Sequence, residues 1–421
     1  PLPIYEIFNV DSAINMKKNI IIFVVIFIFT TLVSTPLLKP GLYMMHDDQQ
    51  LARLFLFDQA LSFGQFPVRW VSELGFGFGY PLFVFYPPFV YMLGETIHLI
   101  GFGFIDSIKI VFFLSIFLSG ISIYLFTKEL WGKISGLTSA LFYIFVPYRA
   151  LDIYVRGAIA ESFSFVWLPL ILLSYYKLAT TRRNPYIYLS SIFLSFLVIT
   201  HNLIFMPFML ILFLYLLFLI ITTSKKTEFS IKVFISFLFT AGLAAFFYIP
   251  ALFEKRFKIV DDILLVNLAA YNIHFVYPQQ LWNWQWGFGG SSAGLTDGLS
   301  FKIGKIHIIL SFLSFILSSI LLIKLKNKPV VYKNWQLTVT FLVLFVFSAF
   351  MTTFYSKLIW DLLPPLGYLQ FPWRFLTFTA LFSSILAGAL IYFIKLPVFK
   401  IIALLIFGIL LVIPNIKLFR P

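Results

Sequence analysis

Long hydrophobic runs, separated by short polar turns, dominate the pattern of this chain. A run of roughly 20 apolar residues is long enough to cross a bilayer as a helix. The pattern predicts about eleven such helices, at residues 20–38, 107–127, 134–148, 160–177, 186–200, 203–222, 232–250, 304–323, 335–353, 374–394 and 399–416. The sequence therefore predicts an all-α membrane protein that crosses the bilayer many times.

The composition supports this class and excludes others. Of the 421 residues, 61% are hydrophobic and only 11% are charged, so a soluble domain could not bury the apolar surface. There is no cysteine, which excludes disulfides and thiolate chemistry. The net charge of +14 raises the possibility of nucleic-acid binding, but the distribution of the charge favours a topology signal instead.

The segment 82–104 decides the topology. It is apolar enough to span, but it contains two prolines, Glu95 and His98. If it does not cross, one face carries sixteen Lys and Arg against four Asp and Glu, and the other carries fifteen against thirteen. Because basic loops stay in the cytoplasm, we predict that 82–104 lies in the interface and that the N-terminus is cytoplasmic. The basic face then comprises residues 1–19 and the turns at 128–133, 177–183, 225–232, 324–333 and 395–400.

This topology predicts one membrane domain with its chemistry on the outer side. Residues 1–15 precede a Met-Lys-Lys start pattern and are interpreted as a leader or upstream read-through, and 16–421 as a single domain. Two large outer loops are expected, 39–106 and 251–303. The varied polar residues gather on this face, so an extracytoplasmic site is predicted.

A histidine and two aspartates follow the first predicted span. His46, Asp47 and Asp48 open a segment, 46–62, with an apolar stripe typical of a helix lying on the membrane. Ionisable groups beside a span usually have a function, which favours Asp47 as a reactive carboxylate. The alternative is that one aspartate caps the helix.

Three further constellations lie at predicted outer ends of spans. Arg156 can hold a phosphate, with Glu161 as a second acid, or the two can simply pair with each other. Arg374 either binds a lipid phosphate or snorkels to headgroups. His201 is either a general base or metal ligand or a polar turn.

Tyr80 follows a glycine-rich stretch, 75–79, which is either a loop covering substrate or an ordinary turn.

Taken together, these motifs resemble a known group of enzymes. An acidic motif after the first span, a long outer segment and a second acid heading a later span are similar to the C-type membrane glycosyltransferase (GT-C) fold. More narrowly, the chain resembles the bacterial membrane-protein family described as pyruvoyl-tetrahydropterin synthase-related. That resemblance rests on His46-Asp47-Asp48, Gly64-Gln65-Phe66-Pro67-Val68-Arg69-Trp70, Gly79-Tyr80-Pro81, Tyr154-Val155-Arg156-Gly157 to Glu161, Thr200-His201-Asn202 and Gln370-Phe371-Pro372-Trp373-Arg374.

The resemblance implies sugar transfer from a polyprenyl-phosphate donor to an extracytoplasmic glycan, lipid or protein acceptor. It implies catalytic roles for Asp47, Asp48 and Glu161. Donor phosphate binding falls to Arg69, Arg156 and Arg374, with a divalent cation such as Mg²⁺ or Mn²⁺ as a possible cofactor. Substrate contacts are expected from His46, Tyr80, His201, Gln370 and Trp373.

Two other classes of function stay open. A transporter or polymer-assembly subunit for lipid-linked glycans would need a polar path through the membrane, and a structural membrane protein would need no site. The sequence shows no Gly-rich phosphate loop, no His-Glu-x-x-His and no internal repeat. A polar cavity open at Asp47 would favour the enzyme, whereas a path reaching both faces would favour transport.

Overall fold

The computed structural model describes residues 10–258, 270–325 and 328–420, which are helical and contain no strand. The first nine residues of the predicted leader lie outside this part of the chain. The helices are α1 (Val10–Val33), α2 (Gln50–Ser62), α3 (Leu82–Phe85), α4 (Phe89–Leu99), α5 (Phe104–Trp131), α6 (Lys133–Ile144), α7 (Pro147–Leu151), α8 (Ile159–Thr181), α9 (Pro185–Thr200), α10 (Asn202–Thr222), α11 (Lys226–Glu254), α12 (Pro278–Trp282), α13 (Lys305–Lys324), α14 (Pro329–Thr352), α15 (Lys357–Leu362), α16 (Leu376–Phe393) and α17 (Pro397–Asn415).

The long helices confirm a membrane protein that crosses the bilayer many times. Eight described helices are long and apolar enough to span, and a ninth span is made if α6 and the segment Pro147–Arg156 are one helix bent by 41°. The bend falls at Pro147, whose ring cannot continue the hydrogen-bond ladder of α6. Two shorter apolar helices, Ile20–Val33 and α9, occupy the other predicted positions. The count of eleven spans stays a prediction.

The segment 82–104 forms two short helices and not a span. Helix α3 has 4 residues and α4 has 11, and a crossing needs roughly 20. Helix α2, of 13 residues, packs against α4 and α5. The segment 39–106, predicted to be an outer loop, therefore contains helices that are too short to cross, as predicted.

The helices separate into a buried centre and a lipid-exposed periphery. Helix α16 is buried along its length and packs against α6, α13 and α14, whereas α17 exposes most of its apolar side chains. Membrane helices associate through close packing and hydrogen bonds. In the buried centre, small side chains let neighbouring helices approach each other closely. A Cβ atom built on Gly388 of α16 would lie 2.2 Å from Ser139 Oγ.

We expect Gly388→Ala to destabilise the protein by about 1–3 kcal/mol, because the added methyl group collides with Ser139 and with the Ser135 carbonyl, 2.6 Å away. Thermal unfolding in detergent measures the effect. Gly408→Ala is the control, since nothing lies within 4 Å of its Cβ position. Equal unfolding temperatures for the two variants would contradict the tight packing of α16.

The sidedness is tested by cysteine labelling, for which the cysteine-free chain needs no background mutations. Ala293 and Thr227 are both exposed and lie at opposite predicted faces. We expect an impermeant thiol reagent applied to intact cells to label Ala293→Cys and not Thr227→Cys. The reverse pattern would overturn the predicted orientation.

Candidate functional site

All five predicted outer segments meet at one cavity of about 1060 Å³. These are the segments that the predicted topology places on the outer face, namely 39–106, 149–160, 201–202, 251–303 and 354–373, and every residue that lines the cavity lies within or next to one of them. Segments that share one cavity lie on the same side of the membrane, so an even number of spans separates them along the chain. This agrees with the prediction that 82–104 does not span. The volume suits a sizeable ligand.

The backbone of residues 46 and 47 runs beside the turn before α8. The Asp47 N–H donates to the Arg156 carbonyl oxygen at 2.8 Å, and the His46 N–H donates to that of Val155 at 2.9 Å. Gly157 permits this approach, because it has φ +68° and a Cβ atom there would lie 2.2 Å from Met45 Sδ. Two segments more than 100 residues apart are thereby fixed together.

The Asp47 carboxylate faces the cavity without a partner. It is half-buried, and it forms no hydrogen bond or ion pair with any residue that the structure describes. Its charge acts on Arg53, Arg156 and Arg374 across the cavity. A carboxylate held near cations but bonded to none of them can accept a proton or contact a ligand.

The capping alternative is not found. Helix α2 begins at Gln50, its N-cap residue is Gln49, and no side chain caps it. Asp48 is exposed and does not line the cavity.

Arg156 and Glu161 pair with each other in a buried network. Arg156 Nη1 lies 2.9 Å from Glu161 Oε2 and 2.6 Å from Asp152 Oδ1. The Tyr148 hydroxyl donates to Glu161 Oε1 at 2.5 Å, and the Thr377 hydroxyl donates to the same oxygen at 3.1 Å. Both carboxylate oxygens of Glu161 are therefore occupied.

Arg374 completes this network from the start of α16. Its Nε lies 3.8 Å from Glu161 Oε2, and its Nη1 donates to the Leu369 carbonyl oxygen at 2.6 Å. The side chain is only 10% exposed, so the snorkelling alternative does not describe it. Arg374 Nε is buried and has no hydrogen-bond partner among the described residues. One buried carboxylate thus holds two guanidinium groups at the cavity wall.

The two guanidinium groups keep donors available for a ligand. Every hydrogen bond that Arg156 forms with described residues uses Nη1, and its guanidinium carbon lies 4.5 Å from the centre of the Trp373 ring. The hydrogen bond of Arg374 likewise uses Nη1. The planar guanidinium group donates hydrogen bonds in fixed directions, so its remaining N–H groups can bind an oxyanion.

His201 is the N-cap of α10. Its Nδ1 accepts a hydrogen bond from the Ile204 N–H at 3.1 Å. Burial lowers the pKa of His201 to about 3, although Glu161 opposes the shift, so the ring is neutral at physiological pH. With Nδ1 accepting, the proton lies on Nε2, which makes this ring a donor toward the cavity lining.

A glycine hairpin, residues 287–298, forms one side of the cavity. Gly289 and Gly298 pair so closely that a Cβ atom on Gly298 would lie 2.5 Å from Gly289 Cα. His46 Nε2 donates to the Phe288 carbonyl oxygen at 2.9 Å. This bond links the residue before Asp47 to the hairpin.

Nine of the eleven predicted site residues line the cavity, namely His46, Asp47, Tyr80, Arg156, Glu161, His201, Gln370, Trp373 and Arg374. Asp48 and Arg69 do not. Arg69 Nη2 instead donates to the carbonyl oxygen of Phe246 at 3.3 Å, near the end of α11. The glycine-rich stretch before Tyr80 is a turn closed by the pairing of Val71 with Tyr80.

Sequence reasoning missed Tyr148 and Thr377, which bind Glu161, and the cavity cations Arg53 and Lys258. Thr377 had a detectable signal, because it follows Arg374 by three residues and therefore lies one helical turn away. No such signal marks Arg53, because an arginine on the exposed face of a helix has the same sequence pattern.

Among the residues that the structure describes, the cavity side chains do not form a set of metal ligands. The described residues contain no group of three His, Asp or Glu side chains that could hold an ion. Asp47 offers one free carboxylate, but the oxygens of Glu161 are already occupied. Hard divalent cations prefer several oxygen ligands, so these residues do not fit one. The divalent cation stays a prediction, and no step below uses it.

Comparison with solved structures shows the fold. The chain is similar to an oligosaccharyltransferase from Archaeoglobus fulgidus in the apo form, with a TM-score of 0.55 and 14% identity over 95% of this chain and 55% of that one. It is also similar to the arabinofuranosyltransferase AftD from Mycobacteria, with a TM-score of 0.53 and 13% identity over 96% of this chain and 27% of that one. Both neighbours are GT-C glycosyltransferases, so the chain has the GT-C fold.

This chain spans about half the length of the archaeal enzyme and about a quarter of AftD. No protein-family model and no curated protein matches it. The narrower resemblance to the pyruvoyl-tetrahydropterin synthase-related family therefore stays a prediction.

Proposed function

We propose that the protein is a membrane glycosyltransferase that moves a sugar from a polyprenyl-phosphate donor to an acceptor on the extracytoplasmic side. One observation carries this proposal: the free Asp47 carboxylate shares a cavity with two buried guanidinium groups, Arg156 and Arg374. The reaction needs a general base and cationic groups that bind the phosphate.

In the proposed reaction an acceptor hydroxyl attacks the anomeric carbon of the donor sugar. Asp47 takes the hydroxyl proton as the new C–O bond forms. The bond between the anomeric carbon and the phosphate oxygen breaks, and the lipid phosphate leaves with the electron pair. A single displacement inverts the anomeric carbon and passes through an oxocarbenium-like state.

We assign the donor phosphate to Arg156 and Arg374, which still have donors available. They stabilise the charge that develops on the leaving group, and their fixed positions avoid reorganisation during the reaction. Glu161 holds both guanidinium groups, so we propose a positioning role for it in place of direct chemistry. Asp48 and Arg69 have no part in this mechanism.

The other predicted contacts concern the sugar and the acceptor. Tyr80, Gln370 and Trp373 all belong to the cavity lining, where Gln370 offers hydrogen bonds. His201, neutral with its proton on Nε2, can donate to a sugar hydroxyl. His46 joins the lining to the glycine hairpin. We propose these five residues as substrate contacts.

The transporter alternative is less well supported. The residues lining the cavity all belong to, or lie next to, the predicted outer segments. A flux assay in proteoliposomes carrying a fluorescent lipid-linked sugar distinguishes the two functions. Sugar transfer without movement of the lipid between leaflets supports the enzyme, and movement without transfer supports the transporter.

We expect Arg374→Lys and Arg156→Lys each to weaken donor binding by roughly 1–2 kcal/mol, because lysine loses one charge-assisted hydrogen bond to phosphate. The donor dissociation constant measures this. Arg69→Lys is the control, since Arg69 lies outside the cavity lining. Unchanged affinity in both variants, with unfolding temperatures like the wild type, would remove the donor phosphate from these two residues.

A further inference from the structure

Residues 290 and 291 of the glycine hairpin contribute backbone to the cavity lining, and residue 290 has no side chain. Gly290 is exposed, and no atom lies within 4 Å of the position that a Cβ atom would take there. By contrast, a Cβ atom on Gly287 would lie 2.6 Å from the Gly298 carbonyl oxygen. Close packing therefore accounts for the glycine at 287, whereas the glycine at 290 leaves open space at the cavity.

The backbone N–H groups of these two residues are not used by the fold. Those of Gly290 and Ser291 donate to no residue that the structure describes. The N–H groups around them are used, because that of Ser292 donates to Asp297 Oδ1 at 2.8 Å and that of Gly298 to the Gly290 carbonyl oxygen at 3.0 Å. Backbone donors that a fold leaves unpaired at a pocket commonly bind polar groups of a ligand.

The Ser291 side chain anchors this part of the hairpin. Its hydroxyl oxygen accepts a hydrogen bond from Trp373 Nε1 at 3.3 Å and lies 3.0 Å from His274 Nδ1. The hydroxyl also hydrogen-bonds to the Asp297 carboxyl and opposes the rise that burial causes in the pKa of that group. A hydroxyl has one proton and two lone pairs, so three partners use its capacity. Ser291 Oγ therefore holds the turn, and the backbone is what stays available to a ligand.

The hairpin is hydrogen-bonded next to both parts of the proposed reaction centre. The Phe288 carbonyl oxygen accepts from His46, the residue before the proposed base, at 2.9 Å. Ser291 binds Trp373, whose ring centre lies 4.5 Å from the guanidinium carbon of Arg156. In a single displacement the sugar lies between the base and the leaving phosphate. The hairpin therefore borders the space that the transferred sugar needs.

We infer that Gly290 and Ser291 form the seat of the transferred sugar and determine which sugar the protein accepts. The two backbone N–H groups bind hydroxyl oxygens of the sugar, and the missing side chain at Gly290 leaves room for the ring. Ser291 is a positioning residue, which holds this backbone in place through its hydroxyl. The inference rests on the proposed function and adds to it the residues that select the donor sugar.

The test compares lipid phosphates with and without a sugar, by equilibrium binding to the purified full chain in detergent. The probes are farnesyl phosphate and its glucosyl, mannosyl, galactosyl and arabinofuranosyl derivatives. The affinity for each derivative is divided by that for farnesyl phosphate, which isolates the contribution of the sugar. We expect at least one sugar to raise the affinity of the wild type, and the variants are compared on that derivative.

Gly290→Val is expected to weaken binding of the sugar derivative by roughly tenfold or more, and to leave farnesyl phosphate binding unchanged, because valine fills the space of the sugar. Valine is compatible with the fold at this position, since Gly290 does not have a positive φ and its Cβ position is open. Ala293→Val is the matched control, because Ala293 is exposed on the same hairpin and lies outside the cavity lining.

Ser291→Ala is expected to weaken binding of the sugar derivative by roughly 3- to 10-fold, because the turn loses its anchoring hydrogen bonds. Ser292→Ala is its control, since the Ser292 hydroxyl pairs with that of Thr296 outside the cavity lining. A purely structural role of Ser291 predicts equal losses for the lipids with and without sugar. A loss confined to the sugar derivative separates positioning from folding.

Equal affinities of the wild type and Gly290→Val for every derivative would overturn the inference. Equal losses for farnesyl phosphate and the derivative would also overturn it, as would a wild type that gains no affinity from any of the four sugars. If Gly290→Val does not fold, Gly290→Ala is compared on the same probes. Failure of the proposed phosphate site is distinguishable, because Arg374→Lys then leaves farnesyl phosphate binding unchanged while the hairpin variants keep their selective effect.

Discussion

Asp47→Asn is expected to lower kcat for sugar transfer by at least about 100-fold, because a positioned general base contributes on the order of 10²–10⁴ in rate. Asparagine keeps the size of the side chain and cannot accept the acceptor proton. Since Asp47 forms no side-chain hydrogen bond or ion pair with described residues, its replacement breaks no contact in the folded protein. The loss should therefore appear in kcat and not in the unfolding temperature.

Asp48→Asn is the matched control for this experiment. It makes the same chemical change one residue away, at an exposed position outside the cavity lining. We expect it to transfer sugar within about threefold of the wild-type rate, as is usual for surface substitutions that leave the fold unchanged. Wild-type turnover by Asp47→Asn would eliminate Asp47 as the base. Equal losses in the two variants would point to a general charge effect at this segment.

Glu161→Ala is expected to destabilise the folded protein by about 3–5 kcal/mol, because it removes one partner of a buried ion pair and leaves the other charges uncompensated. Glu161 is fully buried, and its carboxylate binds Arg156 at 2.9 Å and lies 3.8 Å from Arg374. It also accepts hydrogen bonds from Tyr148 and Thr377. The measurement is the free energy of unfolding in detergent, together with the yield of folded protein.

Glu228→Ala provides the comparison, because Glu228 forms an ion pair with Lys232 at 2.8 Å on a solvent-accessible helix end. Solvent screens an exposed ion pair, so it contributes little to stability, and this variant should unfold almost like the wild type. A Glu161→Ala variant as stable as Glu228→Ala would contradict the positioning role of Glu161. If Glu161→Ala fails to fold, Glu161→Gln keeps the shape and tests the charge alone.

The two alternatives that the sequence left open at Arg156 illustrate the limits of local information. The chain places Arg156 and Glu161 five residues apart, which fits both pairing and phosphate binding. The structure shows that the pair forms and that Arg156 still has N–H groups available. Asp152, four residues before Arg156, also binds the guanidinium group at 2.6 Å.

The sequence by itself determined the class of fold and the gathering of the outer segments. The length of a hydrophobic run fixes which segments can cross a bilayer as helices. Run length is a local property of the sequence. The distribution of Lys and Arg kept 82–104 from being counted as a span, and the structure forms two short helices there. Once the number of crossings was set, the outer segments had to share one end of the bundle.

Only the tertiary structure decided which polar side chains face one another. Asp47 and Asp48 are neighbours in the chain, but Asp47, whose backbone pairs with Arg156, lines the cavity, whereas Asp48 is exposed outside it. Arg69 lies in a motif that predicted phosphate binding, yet its side chain bonds to the backbone of α11. Lys258 stacks on the ring of Tyr80, which lies 178 positions earlier in the chain. Such contacts depend on helix packing, which no local pattern encodes.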